Sequence, residues 1–334
     1  MITCLFVPAL MGQEESEAWH TDFDAAVTLA AESGTYLLVD FSGSDWCGWC
    51  KKLDQEVFSK EEFLTKVQDR YILVVLDFPR SKEVPNAKRN GEVRDLFKVT
   101  GYPTVLLMDE SAKPIAKTGY VEGGPEAYLA HMATLEEWSA KVGDEVKKAE
   151  SAPEASKAEA ITGLIAFLDG LGEHQLNYNH HFSLAFPQVA DVVGEAFVLD
   201  PTDAKGLKSK AALFLLNTGN FTDKLRVALA ELDPKNEKGY LEKLFFSDLN
   251  EKMMAEDGAA VVAMVKDFLK DKTIQDEQMN AMVRYWAGYA ALSWSKDKAT
   301  AIEFLTQAKD LKPANPRLVS SIDKLLQEAG AGDK

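Results

Sequence analysis

The sequence predicts an α/β domain, a mixed sheet with helices on both faces, followed by an all-α domain built from helical hairpins. Three observations carry this. Short apolar runs with strand character alternate with helix-period stretches as far as about residue 140. Beyond about residue 155 strand signals stop, and amphipathic helical segments follow one another. In that second half "LDPTDAKG" at Leu199 returns as "LDPKNEKG" at Leu232, 33 residues on. A chain of 334 residues also exceeds one core of ordinary size, so two domains are expected.

The first half reads element by element. In "AWHTDFDAAVTLAAESGTY" Phe23, Ala26, Val27 and Ala30 recur at helical spacing, and Gly34 offers a stop. "YLLVDFS" is an apolar run with one charge, Asp40, and reads as a central strand. It ends near Gly43. A helix opens at the two cysteines of "SDWCGWCKK", with Leu53, Val57 and Phe58 on its inner face. Ser59 and Glu62 form a capping-box pattern for another turn. "YILVVLDF" (71–78) is the second strand. A polar insertion, "PRSKEVPNAKRNG", leads to a short helix at "EVRDLFKV". "GYPTVLLMD" and "KPIAKTGYV" form a hairpin across Glu110–Lys113, and Pro125 suits the first turn of a final helix.

These signals set the expected domains: 17–140 for the α/β domain, 141–158 for an Ala-, Lys- and Glu-rich helical linker, and 159–330 for the helical domain. The stretch 1–16 begins with the apolar "MITCLFVPALMG" and turns abruptly polar. It reads as a secretory signal lacking its basic start, which places the protein in a bacterial periplasm or outside the cell, with the cytoplasm as the alternative. No apolar run approaches the length of a membrane span. A net charge of −16 excludes a nucleic-acid surface or a polybasic membrane patch, since both need a local excess of Lys and Arg.

Three cysteines are too few for a disulfide framework, and Cys4 falls in the signal-like segment. Cys47 and Cys50 therefore act without a third thiol. Tetrahedral zinc would need two further ligands, and the nearest cluster, His174, His180 and His181 in "EHQLNYNHH", lies in the other half and reads as solvated. A static disulfide would close only a very short loop. A redox pair fits best. The reactive form of cysteine is the thiolate, and the unpaired N–H groups at a helix N-terminus favour it. Cys47 is expected there, exposed, as the nucleophile; Cys50, one turn inward, is expected to be shielded and to resolve the mixed disulfide. No cofactor beyond the reversible Cys47–Cys50 disulfide and no metal is expected.

A strand ending in "VDF", then W-C-x-x-C at a helix start, then "GYPT" heading a later strand, together resemble the thioredoxin fold. With Trp19, Asp22 and Phe23 upstream, "GSDWCGWCKKLDQEVFS" is most similar to exported, domain-fused bacterial thioredoxin-like proteins, over roughly residues 17–140. The resemblance implies that Asp40 takes up and returns the proton of the buried cysteine. It implies a cis bond before Pro103, with Tyr102 and Pro103 facing Cys47, and a client groove formed by Trp46, Gly48, Trp49, Tyr102 and Pro103. Two departures stand out. One extra residue separates Asp40 from the motif, and the lysine that normally approaches that Asp is read as replaced by Leu73. Trp49 stands where family members carry proline or histidine, which leaves the direction of electron flow open.

Residues 284–317 resemble a tetratricopeptide repeat through Ala291, Ala301, Phe304, Ala308 and Pro313; the units near Leu199 and Leu232 match weakly, and "LKPANPRL" at Leu311 is a third variant. The aromatic "RYWAGYAALSW" reads as core between stacked hairpins. Such an array binds a protein partner or holds a homodimer. The expected function is thiol–disulfide oxidoreduction on protein disulfides, as reductase ahead of isomerase or oxidase. Its partners are a client carrying a disulfide or thiol and a dithiol protein that donates or accepts electrons. The alternative is an interaction or scaffold protein whose repeats act while the other half is redox-sensing or inert.

Overall fold

The computed structural model describes residues 18–331 except residue 82. The signal-like stretch 1–16 lies outside the described residues. By their contacts the described residues divide into two compact units, one running up to residue 151 with 166–189 and one of 152–165 with 190 onward.

In the first unit five strands form one mixed sheet in the order β1-β3-β2-β4-β5. They are β1 Trp19–His20, β2 Tyr36–Ser42, β3 Tyr71–Asp77, β4 Thr104–Met108 and β5 Pro114–Thr118. β3 runs parallel to both β1 and β2, while β4 is antiparallel to β2 and β5. Two neighbours bury β2 on both sides, which is why its sequence is almost continuously apolar. The two-residue β1 has no sequence signal; it exists because Trp19 and His20 meet Leu73 and Val74 across the sheet.

Helix α1 (Phe23–Ser33) starts where the Asp22 carboxylate accepts the Ala25 N–H, at 3.1 Å, and stops at Gly34 with φ 65°. Helix α2 (Gly48–Leu53) runs on as a π turn through Phe58. Helix α3 (Glu61–Val67) corrects one expectation: Lys60 is its N-cap with no side-chain bond, and the Ser59 hydroxyl instead donates to the Asp54 carbonyl at 2.8 Å. The π turn supplies that nearer acceptor, so the capping box does not form. Helix α4 (Ala87–Leu96) buries only Asn90 and Val93.

Helix α5 (Gly124–Glu150) carries Pro125 in its first turn and buries Tyr128, Met132, Leu135 and Val142. The Tyr128 ring meets Phe58 edge-on at 5.3 Å. α5 continues past residue 140 without a break. The chain turns at residues 151–153 and enters α6 (Glu154–Gly170). The sequence boundaries place 159–170 and all that follows in the helical domain, whereas contacts group 166–189 with the sheet. The reason is specific packing: His181 Nδ1 lies 2.9 Å from the Lys117 carbonyl on β5, Phe182 is fully buried, and Phe186 abuts α5 at Gly143.

The second unit continues through α7 (Val189–Gly194), α8 (Ala196–Leu199), α9 (Leu207–Asn217), α10 (Asp223–Leu232), α11 (Glu242–Met254), α12 (Gly258–Asp271), α13 (Glu277–Ser293), α14 (Lys298–Asp310) and α15 (Pro316–Ala329). Its described regular structure is helical throughout. The recurring sequence has a structural cause. Asp200 accepts the N–H groups of Lys205 and Leu207, and 33 residues later Asp233 accepts those of Lys238 and Tyr240. In both loops a left-handed residue (Asp203, Asn236) and a left-handed glycine (Gly206, Gly239) complete the turn. The variant at Leu311 is built differently, with Asn315 capping the Arg317 N–H at 3.0 Å.

Ala291, Ala301, Phe304 and Ala308 are buried where α13 packs on α14. A Cβ on Gly288 would sit 2.6 Å from the Leu305 side chain, so glycine sets how closely these helices approach. Tyr285 and Tyr289 pack against the same cluster, as the core reading of the aromatic stretch expects. Among the described residues no helix is long and apolar enough to cross a membrane.

Candidate functional site

The motif loop between β2 and α2 is tied to the end of β3 residue by residue. The Ser44 N–H and hydroxyl donate to Asp77 at 2.9 and 2.6 Å. The Trp46 indole N–H donates to the Phe78 carbonyl at 2.8 Å. The Asp45 carboxylate accepts the N–H groups of Arg80 (3.0 Å) and Ser81 (2.7 Å) and the Ser81 hydroxyl (2.5 Å). Those donors hold the Asp45 carboxyl down at about 2. Gly43 is required here: a Cβ would lie 2.6 Å from the Trp46 ring. The Arg80 guanidinium lies over the indole, 4.3 Å from its centroid.

Cys47 is the N-cap of α2, and its sulfur accepts the Cys50 N–H at 3.1 Å. The two cysteines form a disulfide with Cα atoms 5.3 Å apart. One expectation needs correction: Cys47 is not exposed but 5% accessible, close to the 3% of Cys50. Its sulfur is bonded to that of Cys50 at the first turn of α2, where it also accepts the Cys50 N–H. Gly48 leaves open space beside the pair.

Trp49 is 59% exposed and tilts against Tyr120 at 5.3 Å, with the Lys52 ammonium over both rings. Trp46 meets Tyr102 edge-on at 5.4 Å, and the Tyr102–Pro103 bond is cis. Two aromatic pairs result, Trp46 with Tyr102 and Trp49 with Tyr120.

Asp40 lies behind the pair. It registers with Val75 on β3 and Val105 on β4 and is 6% exposed. In register, Val75 stands opposite Asp40, while Leu73 pairs with Leu38 and Trp19. Asp40 and Cys50 line a cavity of about 410 Å³ together with Asp54, Asp77, Val75 and Asn90. Burial pushes the Asp40 carboxyl up to about 8, and the nearby charges of Asp54 and Asp77 push the same way. Its Oδ1 has no hydrogen-bond partner.

The sequence reading missed Asp45, Asp77, Arg80, Asn90 and Tyr120. Asp77 was findable as the charge closing an apolar strand. The others have no local signal, because their roles come from contacts at long sequence separation. The three histidines of the polar segment do not converge: His174 stacks on Trp138 at 4.3 Å, while His180 and His181 pack together at 4.5 Å.

This sheet, with a Cys-x-x-Cys helix cap and a cis-proline loop beside it, defines a thioredoxin-like domain, and residues 23–135 match the family of that description. Over 94 residues the chain is 35% identical to the disulfide bond reductase DsbH of Chlamydia pneumoniae, covering 28% of this chain and 57% of that protein. Over 125 residues it is 30% identical to the thioredoxin-related protein DsbJ of the same organism, covering 36% of each. A solved structure, DsbH Oxidoreductase, matches at 27% identity with a TM-score of 0.34, over 36% of this chain and 83% of that one. The match thus spans little more than half of one curated relative and about a third of the other.

Proposed function

We propose that the protein is a thiol–disulfide oxidoreductase that reduces disulfides in client proteins. The observation that carries this reading is Cys47 capping α2 with the Cys50 N–H on its sulfur, bonded to Cys50 and backed by the buried carboxyl of Asp40. In the reduced form the Cys47 thiolate, favoured by the helix N-terminus, attacks one sulfur of a client disulfide. A mixed disulfide forms, and one client thiolate leaves. Asp40 takes the Cys50 proton; the Cys50 thiolate attacks Cys47, releases the second client thiol and leaves the Cys47–Cys50 disulfide. Two electrons pass from the dithiol to the client. A second dithiol protein reverses the change, so no cofactor is needed.

Trp46, Gly48, Trp49, Tyr102 and Pro103 form the client face in this reading. The likeness to DsbH, a disulfide bond reductase, supports the reductase direction. The helical unit, read as a tetratricopeptide-like array, selects or positions the client or pairs two copies, and the protein works after export.

The test is the reduction potential of the Cys47–Cys50 couple together with turnover of a protein disulfide. A value near about −270 mV is expected for a reductase, while one above about −180 mV would make it an oxidase or isomerase. Turnover should vanish in Cys47→Ser. If client binding and phenotype survive that change intact, the function belongs to the helical unit and the enzymatic reading fails.

A further inference from the structure

Among the described residues, two buried side-chain atoms lack a hydrogen-bond partner: Asp40 Oδ1 and Asn90 Oδ1. Both residues line the same cavity. Asn90 comes from α4, which begins inside the polar insertion, and is 3% exposed. A buried amide oxygen with no donor is costly, so its place in the wall calls for a reason. Two bare acceptors cannot satisfy each other. They can when the carboxyl carries a proton, because its hydroxyl then donates to the amide oxygen. When the carboxyl is ionised, the amide turned end for end presents its NH₂ group instead.

We infer that Asn90 is a positioning residue whose amide partners the Asp40 carboxyl across the cavity, directly or through one water, and serves it in both protonation states. This rests on the reading above that Asp40 receives the Cys50 proton. Across the sheet Asp40 is flanked by Val75 and Val105, and along its own strand Ser42 shares its face of the sheet and lines the same cavity. The other charged or titratable groups facing Asp40 are Lys51 from α2, Asp54 from the π turn that follows it, Asp77 from β3 and Tyr128 from α5. The Lys51 ammonium is engaged elsewhere, donating to the Asp45 carbonyl at 2.8 Å. The two acids oppose ionisation of Asp40, and Tyr128 is neutral through the same pH range, held well above its ordinary value. Of the uncharged polar side chains in the wall, Thr21, Ser42, Ser44 and Asn90, the Ser44 hydroxyl is given to Asp77, and Asn90 is the one with a buried oxygen that lacks a partner. Its function is to let the carboxyl gain and lose that proton without being stranded in either form.

The oxidised full-length protein tests this directly, because neither cysteine then titrates. The side-chain NH₂ resonances of Asn90, identified by their loss in Asn90→Ser, should shift with pH at the same midpoint as the Asp40 carboxyl carbon. That shift should disappear in Asp40→Asn. In Asn90→Leu the midpoint of Asp40 should rise by at least one pH unit, about a tenfold change in its ionisation equilibrium. The ionised form loses the stronger, charge-assisted bond, and the cavity also becomes drier. An Asn90 that merely packs α4 would alter stability and leave the midpoint where it was. Asn90 resonances that stay flat through the Asp40 titration overturn the inference, and this wild-type measurement decides even if the Leu variant fails to fold. Comparing thiol exchange in Asp40→Asn separates the two ideas. Slowed exchange with no Asn90 coupling defeats only the inference; coupling with unchanged exchange defeats only the relay.

Discussion

Replacing Asp40 with Asn should make the first unit more stable in a strongly pH-dependent way. The native carboxyl titrates at about 8, against an ordinary value of 3.8. Between these values the unfolded chain has lost the proton and the native protein retains it, so rising pH favours unfolding. The penalty begins above pH 4, grows as the pH approaches 8, and is constant beyond. At about 1.36 kcal/mol per pH unit, it amounts to roughly 2 kcal/mol at pH 5 and roughly 5 kcal/mol at pH 8. Asn removes the titration while keeping the shape. The stability gap between variant and parent should therefore widen by about 3 kcal/mol from pH 5 to pH 8. Hydrogen exchange of the β2 and β3 amides in the oxidised protein reads this without contribution from the helical unit. A gap independent of pH would refute the reasoning, since Asp40 would then ionise as easily in the native protein as in the unfolded chain.

Asp45 should behave in the opposite sense. Its carboxyl is held at about 2, so the clasp it makes with Arg80 and Ser81 is complete above pH 4 and is lost as the pH falls through 2. In Asp45→Ala the Arg80 and Ser81 amides should exchange roughly tenfold faster at neutral pH, as charge-assisted bonds are removed; unchanged protection would show that the carboxylate does not hold them. In the helical unit, Gly288→Ala tests close packing against propensity. Alanine should stabilise an open helix by about 1 kcal/mol. Here its Cβ would meet Leu305 at 2.6 Å. Overpacking typically costs about 1–3 kcal/mol, so calorimetry should show net destabilisation. A higher melting temperature would mean that α13 and α14 yield freely.

The sheet and the reactive pair were legible because their signals are local. "YLLVDFS" and "YILVVLDF" are apolar since both strands have neighbours on each side, and Gly34 and Pro125 mark helix ends through their own backbone preferences. Cys47 and Cys50 stand one helical turn apart, a spacing the sequence states outright. The thirty-three-residue recurrence was equally legible, and its cause is local: an aspartate accepting amides five and seven residues on.

What the sequence could not supply is everything decided by residues far apart in the chain. It could not show that Val75 stands opposite Asp40 in the sheet, and it expected an exposed Cys47, which is buried. It assigned 166–189 to the helices, although His181 and Phe186 pack on the sheet-bearing unit. Asn90 looked like one polar residue among many in an insertion, until tertiary packing set its amide in the same cavity wall as the carboxyl of Asp40. Composition, periodicity and spacing determined most of the elements that form and which two cysteines stand together, because backbone preference and burial act over a few residues. Register, burial of the disulfide and the polar lining of the cavity were decided only by the tertiary structure, because each depends on which distant side chains the sheet and helices bring together.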